Sequence, residues 1–302
     1  MHRTSRWTQC KRAIGAGSLA LALAVGAPAA LAADPFRTGS EARPIGPALQ
    51  MAFEDFFKNG NYLNAGEKLD VAQRQNPDEP LVYGLQAAIA YQNGQVDRLL
   101  ALAQKTREVA QAMNGKDPAR SHLYLGIAQG LEISTFYLKD GILALPRMLT
   151  QVPGMFGEFK TAREKAPDDP EINLFVGYID TLLTKHDEAI KQFRKAAPNY
   201  LSYRGQALAW RDKKNYEEAL AMVDQALAAA PTNPDLFYLK GQILALYSKP
   251  AEAVAHFDRA IYQGNQLPEG TRKQILRERD AQARLAGDLY TPLPSVTVTP
   301  QP

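Results

Sequence analysis

The 302-residue chain is predicted to fold as an all-α solenoid of stacked helix–turn–helix pairs. Three observations predict it. A small–large–small triplet recurs at i, i+4, i+7, one face of a helix: Ala219, Val223, Ala226, then 34 residues later Ala253, Phe257, Ala260. It also occurs as Ala189, Phe193, Ala196 and as Ala65, Leu69, Ala72. Twelve residues before three of these triplets stands another small residue, Gly177, Ala207 or Gly241. A preceding helix is thereby placed against the triplet across a short turn, such as 212–215 or 247–250. Finally, Pro77 and Pro80, Pro167 and Pro170, and Pro231 and Pro234 form Pro-x-x-Pro junctions. The first proline stops one helix and the second opens the next, where its missing N–H has no partner to lose.

In chain order, residues 1–32 read as a secretory signal. Arg3, Arg6, Lys11 and Arg12 precede a short apolar run, Ala13–Ala27, and Ala30-Leu31-Ala32 offers a cleavage site. An uncleaved, inner-membrane-anchored form is the alternative. The chain has 35 Lys and Arg against 32 Asp and Glu; the signal holds four of the former and none of the latter, leaving 31 against 32. The basic balance belongs to the signal, so it argues for no nucleic-acid partner. The only cysteine, Cys10, leaves with it, which suits an oxidising compartment without thiol chemistry. No stable membrane insertion is expected after cleavage, and the expected location is periplasmic.

Residues 33–45 are expected to be a linker. Helical pairs then follow near 46–79, 80–113, 118–169, 170–199, 200–233 and 234–264, with a charged capping helix at 268–287 and a Pro-rich tail at 288–302. Asp169 and Asn233 are expected N-caps. The pair at 80–113 keeps Ala87 and the Asn93-Gly94 turn, but Leu99 and Ala103 exchange large and small, so its helix limits stay open. On these triplets, glycines and prolines the chain resembles the tetratricopeptide-repeat family, whose units are 34-residue helical pairs. The resemblance covers roughly 46–262 and is clearest over 170–264. Phe53 departs from it, since a small residue is usual there. It implies a right-handed solenoid with a polar cap and a non-enzymatic protein-interaction role.

No catalytic or metal-ligating constellation stands out. His122, His186 and His256 are far apart, no H-E-x-x-H, G-x-S-x-G or phosphate-cradling glycine motif occurs, and no cofactor is expected. Paired acids such as Glu217-Glu218 and Asp168-Asp169 suit helix starts. The expected site is therefore the concave groove that the resemblance implies, holding a protein or peptide segment. Candidate groove residues are Tyr178, Arg204, Arg211, Tyr238 and Gln242. Arg204 and Arg211, seven apart on one helical face, could together serve an acidic group.

One unit is enlarged. Phe159 follows Gly126 by 33 positions, against 16 between Gly241 and Phe257. The surplus includes 141–156, an apolar stretch whose only charge is Arg147. Ile142, Leu145, Leu149, Val152 and Phe156 keep helical spacing, although Pro146 and Pro153 are expected to interrupt it. Either this insert folds back to fill the core of its own unit, or it borders the groove and presents Leu145, Met148, Leu149 and Met155 to a partner as a specificity element. The rivals to a non-enzymatic envelope scaffold are a membrane-anchored subunit of an envelope complex and an enzyme without a recognisable motif.

Overall fold

The computed structural model describes residues 34–262 and 267–287; the signal and the tail beyond Gly287 lie outside them. The described residues form an α-solenoid of six helical pairs closed by a cap. The pairs are α1 (Pro47–Phe53) with α2 (Tyr62–Gln75), α3 (Pro80–Gln92) with α4 (Val96–Met113), and α5 (Pro118–Asp140) with α6 (Leu145–Lys165). They continue with α7 (Pro170–Leu182) and α8 (His186–Lys195), α9 (Asn199–Asp212) and α10 (Tyr216–Ala229), and α11 (Pro234–Leu246) and α12 (Pro250–Tyr262); α13 (Glu269–Ala286) is the cap. Between α1 and α2 lies a π-helical turn, Glu54–Asn59. Its final carbonyls are released at Gly60, whose φ of +63° suits a residue without Cβ.

The predicted packing marks are where the pairs meet. Ala65, Leu69, Ala72, Ala189, Phe193, Ala219, Val223, Ala226, Ala253, Phe257 and Ala260 are all buried. A Cβ on Gly241 would stand 2.6 Å from Phe257, one on Gly177 2.7 Å from Phe193, and one on Gly126 3.1 Å from Phe159. In these three pairs a phenylalanine thus fills the space that a missing side chain leaves on its partner helix. Phe193 also reaches Gly205 of the next pair, where a Cβ would come within 2.3 Å. This single ring locks α8 between α7 and α9. In the second pair, whose limits were open, Leu99 of α4 packs with Ala87 and Ala90 of α3. The exchange of large and small keeps the volume and moves the bulk along the helix. Phe53 is accommodated by further rings, with Phe36 at 5.1 Å and Phe57 at 4.8 Å.

The caps follow the prolines. Asp169 accepts from the N–H groups of Glu171 and Ile172, both at 3.0 Å, and Asn233 from that of Asp235 at 2.8 Å. Glu79 and Asp117 do the same at the starts of α3 and α5.

Two expectations are corrected. The stretch expected as a linker is packed: Asp34, Phe36 and Ile45 are buried, and Arg37 and Arg43 tie it to the helix starts. Arg43 donates to Asp34 at 2.6 Å and to Glu171 at 2.9 Å, and Arg37 to Asp169 and Glu171. Arg120 of α5 joins Glu171 to Glu79, and the Tyr124 hydroxyl donates to Glu171 at 2.7 Å. Arginines four and ten residues before the first helix look like surface charge in a sequence, and only the fold brings the acids at the start of α7 to meet them. Second, the prolines of the insert do not interrupt it. Pro146 sits in the first turn of α6, and Pro153 lies inside that helix, where it is exposed. Leu149, whose carbonyl loses its intrahelical donor, is exposed too. The surplus residues therefore form no separate short helix. They lengthen α5 and α6 into a hairpin turned by the 3₁₀ segment Gly141–Ala144.

Candidate binding chamber

The first helices of the pairs line a chamber of about 360 Å3. Its wall carries Phe56, Phe57 and Tyr62 from the first pair, Leu81, Leu85 and Ala88 from α3, and Tyr124, Ile127 and Leu131 from α5. Phe175 of α7 and Leu201 and Arg204 of α9 complete it. The register repeats in α3, α5 and α7. One lining residue stands two positions before the small packing residue, as with Leu85 before Ala87, Tyr124 before Gly126 and Phe175 before Gly177. Another stands one after it, as with Ala88 and Ile127.

The chamber is closed at one side by a contact between the first and sixth pairs. The Asn233 side chain donates to the Phe57 carbonyl at 2.8 Å, and the Tyr62 hydroxyl donates to Asp235. Gly60 lies so near that a Cβ would stand 2.7 Å from Pro234. Asn233 performs two tasks with one amide: its oxygen caps α11 and its nitrogen holds the π turn.

Polar groups are few and gathered at this closure. Arg204 donates to the Tyr178 hydroxyl at 2.9 Å and makes no ion pair among the described residues. The oxygen of Tyr178 beside it outweighs burial and raises the pKa of the guanidinium further, so it stays charged. Burial pushes the Asp235 carboxyl up, opposed by the Tyr62 hydrogen bond and by the charge of Arg204. Burial, then Asp235, pushes the Tyr62 hydroxyl well above its ordinary value. Gln92, at the same rim, has a buried side-chain oxygen that accepts no hydrogen bond from the described residues.

Of the predicted residues, Arg204 faces the chamber and Tyr178 buttresses it. The arginine pair does not share surroundings: Arg211 turns to Asp212 at 2.8 Å and to Gln242 at 3.3 Å. Tyr238 and Gln242 are engaged by the cap, where Glu278 of α13 accepts from both, at 2.6 and 3.2 Å. Of the insert, Met155 is half-buried and its sulfur would meet a Cβ on Gly130 at 3.2 Å; Met148 is half-buried, while Leu145 and Leu149 are exposed. Residues of the insert do not line the chamber. The aromatic wall of Phe56, Tyr62, Tyr124 and Phe175 was missed, because rings on helices read as core; for Tyr124 and Phe175 the register to Gly126 and Gly177 is a signal that could have found them, whereas Phe56 in the π turn and Tyr62 at the start of α2 carry none.

Comparison with known families bears on the second half of the stack. The tetratricopeptide-repeat family model matches residues 183–234 and 204–268. Residues 183–268 are thus similar to tetratricopeptide repeats. The match begins just before α8, and the helices before it, α1 to α7, continue the same arrangement of paired helices. No curated protein matches the chain. Among solved structures, a tetratricopeptide-repeat protein from Parabacteroides merdae is similar at 17% identity, covering 80% of this chain and 94% of that one, with a TM-score of 0.39. PilW, described as a type IV pilus biogenesis factor, is similar at 17% identity over 81% of this chain and 93% of its own, with a TM-score of 0.35. YrrB, described as a tetratricopeptide-repeat protein with an unusual peptide-binding site, is similar at 16% identity over 70% and 99%, with a TM-score of 0.35.

Proposed function

We propose that this tetratricopeptide-repeat protein is a non-enzymatic scaffold of the cell envelope that takes an apolar segment of a partner protein into the chamber. The observation that supports this most is the pairing of an apolar wall with two unspent polar groups at its rim. Gln92 offers a buried acceptor without a donor, and Arg204 offers donors beyond the one used on Tyr178. A peptide group presents one N–H and one C=O, the complement of that pair. Leaving a buried acceptor unmet costs roughly 1–3 kcal/mol, which a bound peptide N–H would recover. The volume of about 360 Å3 lies at the small end of binding pockets, roughly 300–1,000 Å3. It suits a few apolar side chains of a segment rather than a docked domain.

The envelope location rests on the charged start, apolar run and Ala-x-Ala site of residues 1–32. N-terminal sequencing of the protein from cells tests it: a chain beginning near Ala33 supports export and cleavage, and a start at the initiator methionine supports the anchored form. The binding reading is tested by a photo-crosslinking amino acid placed at Ala88 in the chamber wall and, as a control, at the exposed Ala221. A protein adduct formed from position 88, absent from position 221 and weakened by Arg204→Glu, is the expected result. Equal labelling from the two positions would remove the chamber from the interaction.

A further inference from the structure

The hairpin formed by the ends of α5 and α6 carries aliphatic side chains that are left exposed among the described residues. Ile142 is 73% exposed, Leu143 84% and Leu149 63%, and Leu145 is exposed beside them. They sit at and just behind the turn Gly141–Ala144, the outermost part of the hairpin, far in sequence from the chamber register.

We propose that this hairpin tip docks on the surface of an anionic lipid bilayer. Two layers of side chains carry the argument. The outer layer, Ile142, Leu143 and Leu145, is aliphatic and uncharged. The inner layer holds Tyr137, Lys139 and Arg147. Arg147 is placed by its ring contact with Phe136, 3.7 Å from guanidinium carbon to ring centre. Neither Lys139 nor Arg147 makes an ion pair among the described residues, and Asp140 is the one acid at this level.

Tyr137 lies four residues before the turn, a helical rise of about 6 Å. Interfacial elements bury their apolar side about 5–10 Å into the boundary between headgroups and acyl chains. A tyrosine and cations at that depth would meet the headgroups, where tyrosine is enriched at membrane interfaces and cations find phosphate. The bilayer also suits the shape. Side chains standing on a convex turn need a matching cavity in a protein partner, whereas lipid deforms around them. The contact is peripheral: among the described residues no helix is long and apolar enough to cross a membrane.

The test uses the full chain with a tryptophan reporter at the tip, Leu143→Trp, and a control reporter at another exposed site, Leu182→Trp. Emission is read as the difference from the parent chain, with vesicles of phosphatidylcholine alone or with added phosphatidylglycerol, and with bromine quenchers on the acyl chains. The expected result is a blue shift and quenching for Leu143→Trp with the anionic vesicles and no change for Leu182→Trp. Ile142→Asp with Leu143→Asp should weaken vesicle binding of the folded protein about tenfold or more, and Lys139→Glu with Arg147→Glu should abolish the preference for anionic lipid. Because the reporter reads only position 143, adsorption through residues 1–32 would leave it unquenched. No quenching at the tip in the presence of vesicles overturns the proposal. So does a blue shift that needs protein concentration but no lipid, which assigns the tip to a second copy, and so does protection only by a captured protein.

Discussion

The side-chain nitrogen of Asn233 lies 2.8 Å from the carbonyl oxygen of Phe57, joining residues 176 positions apart. This bond closes the chamber, and it is made by an N-cap residue at a Pro-x-x-Pro junction. The substitution that isolates it is Asn233→Asp, which keeps an oxygen for the cap and removes the donor. Such a buried bond contributes about 1–3 kcal/mol once its acceptor is left unmet. Asn233→Asp is expected to keep its helix content, lose stability of about that size in denaturant, and exchange amide hydrogens faster over 57–62. Unchanged exchange there would show that the first and sixth pairs stay closed without it.

Gly241 and Gly66 separate packing from propensity. Alanine is favoured over glycine inside a helix by about 1 kcal/mol, so both substitutions to alanine should stabilise if only the helix mattered. At Gly241 a methyl would meet the Phe257 ring at 2.6 Å, while at Gly66 the nearest atom is at 3.8 Å. Gly241→Ala is expected to destabilise by roughly 1–3 kcal/mol, the cost of overpacking, and Gly66→Ala to stabilise by up to about 1 kcal/mol. Thermal melts of the two variants check the opposite signs.

Glu171 is fully buried and accepts from Arg37, Arg43, Arg120 and Tyr124. Glu171→Gln keeps the shape and removes the charge that three arginines share. Breaking a buried ion pair from one side costs about 3–5 kcal/mol, and a loss of that order is expected in urea unfolding. The released N-terminal segment should then be cut by protease near Arg37 and Arg43 before the helices are.

His256 stacks on Phe237, and its Nδ1 is buried without a hydrogen-bond partner among the described residues. Burial, with Lys240 and Arg259 nearby, lowers its pKa to about 4, against the pull of Asp224 and Glu252. The folded value is depressed below the ordinary one of 6.5, so the unfolded chain binds the proton first. The contribution is fully present above about 6.5 and is lost as pH falls from there through about 4. Allowing for partial exposure, it is on the order of 1 kcal/mol. The difference in unfolding free energy between the parent and His256→Phe should change by that amount across this window. A pH-independent difference would place the imidazole in water.

Sequence alone determined the repeat. Triplets such as Ala253, Phe257 and Ala260, their glycine partners and the prolines that punctuate them are local marks. Close helix approach, capping and termination each depend on residues within a few dozen positions, so they are legible along the chain. Leu85, Tyr124 and Phe175 keep one register to a packing residue, two positions before Ala87, Gly126 and Gly177, and that spacing too is local. What only the tertiary structure decided depends on residues far apart in the chain. Phe57 and Asn233 meet because six pairs curve until the first reaches the sixth, an angle accumulated over every interface and encoded at none. Asp34, Arg43, Arg120 and Glu171 form one charge cluster because three helix starts lie side by side. Tyr238 and Gln242 turned from groove candidates into partners of Glu278 because the cap lies over them. The continuity of α6 through Pro153 was decided by exposure, since a carbonyl without its helical donor is cheap where water can supply one and costly where it cannot.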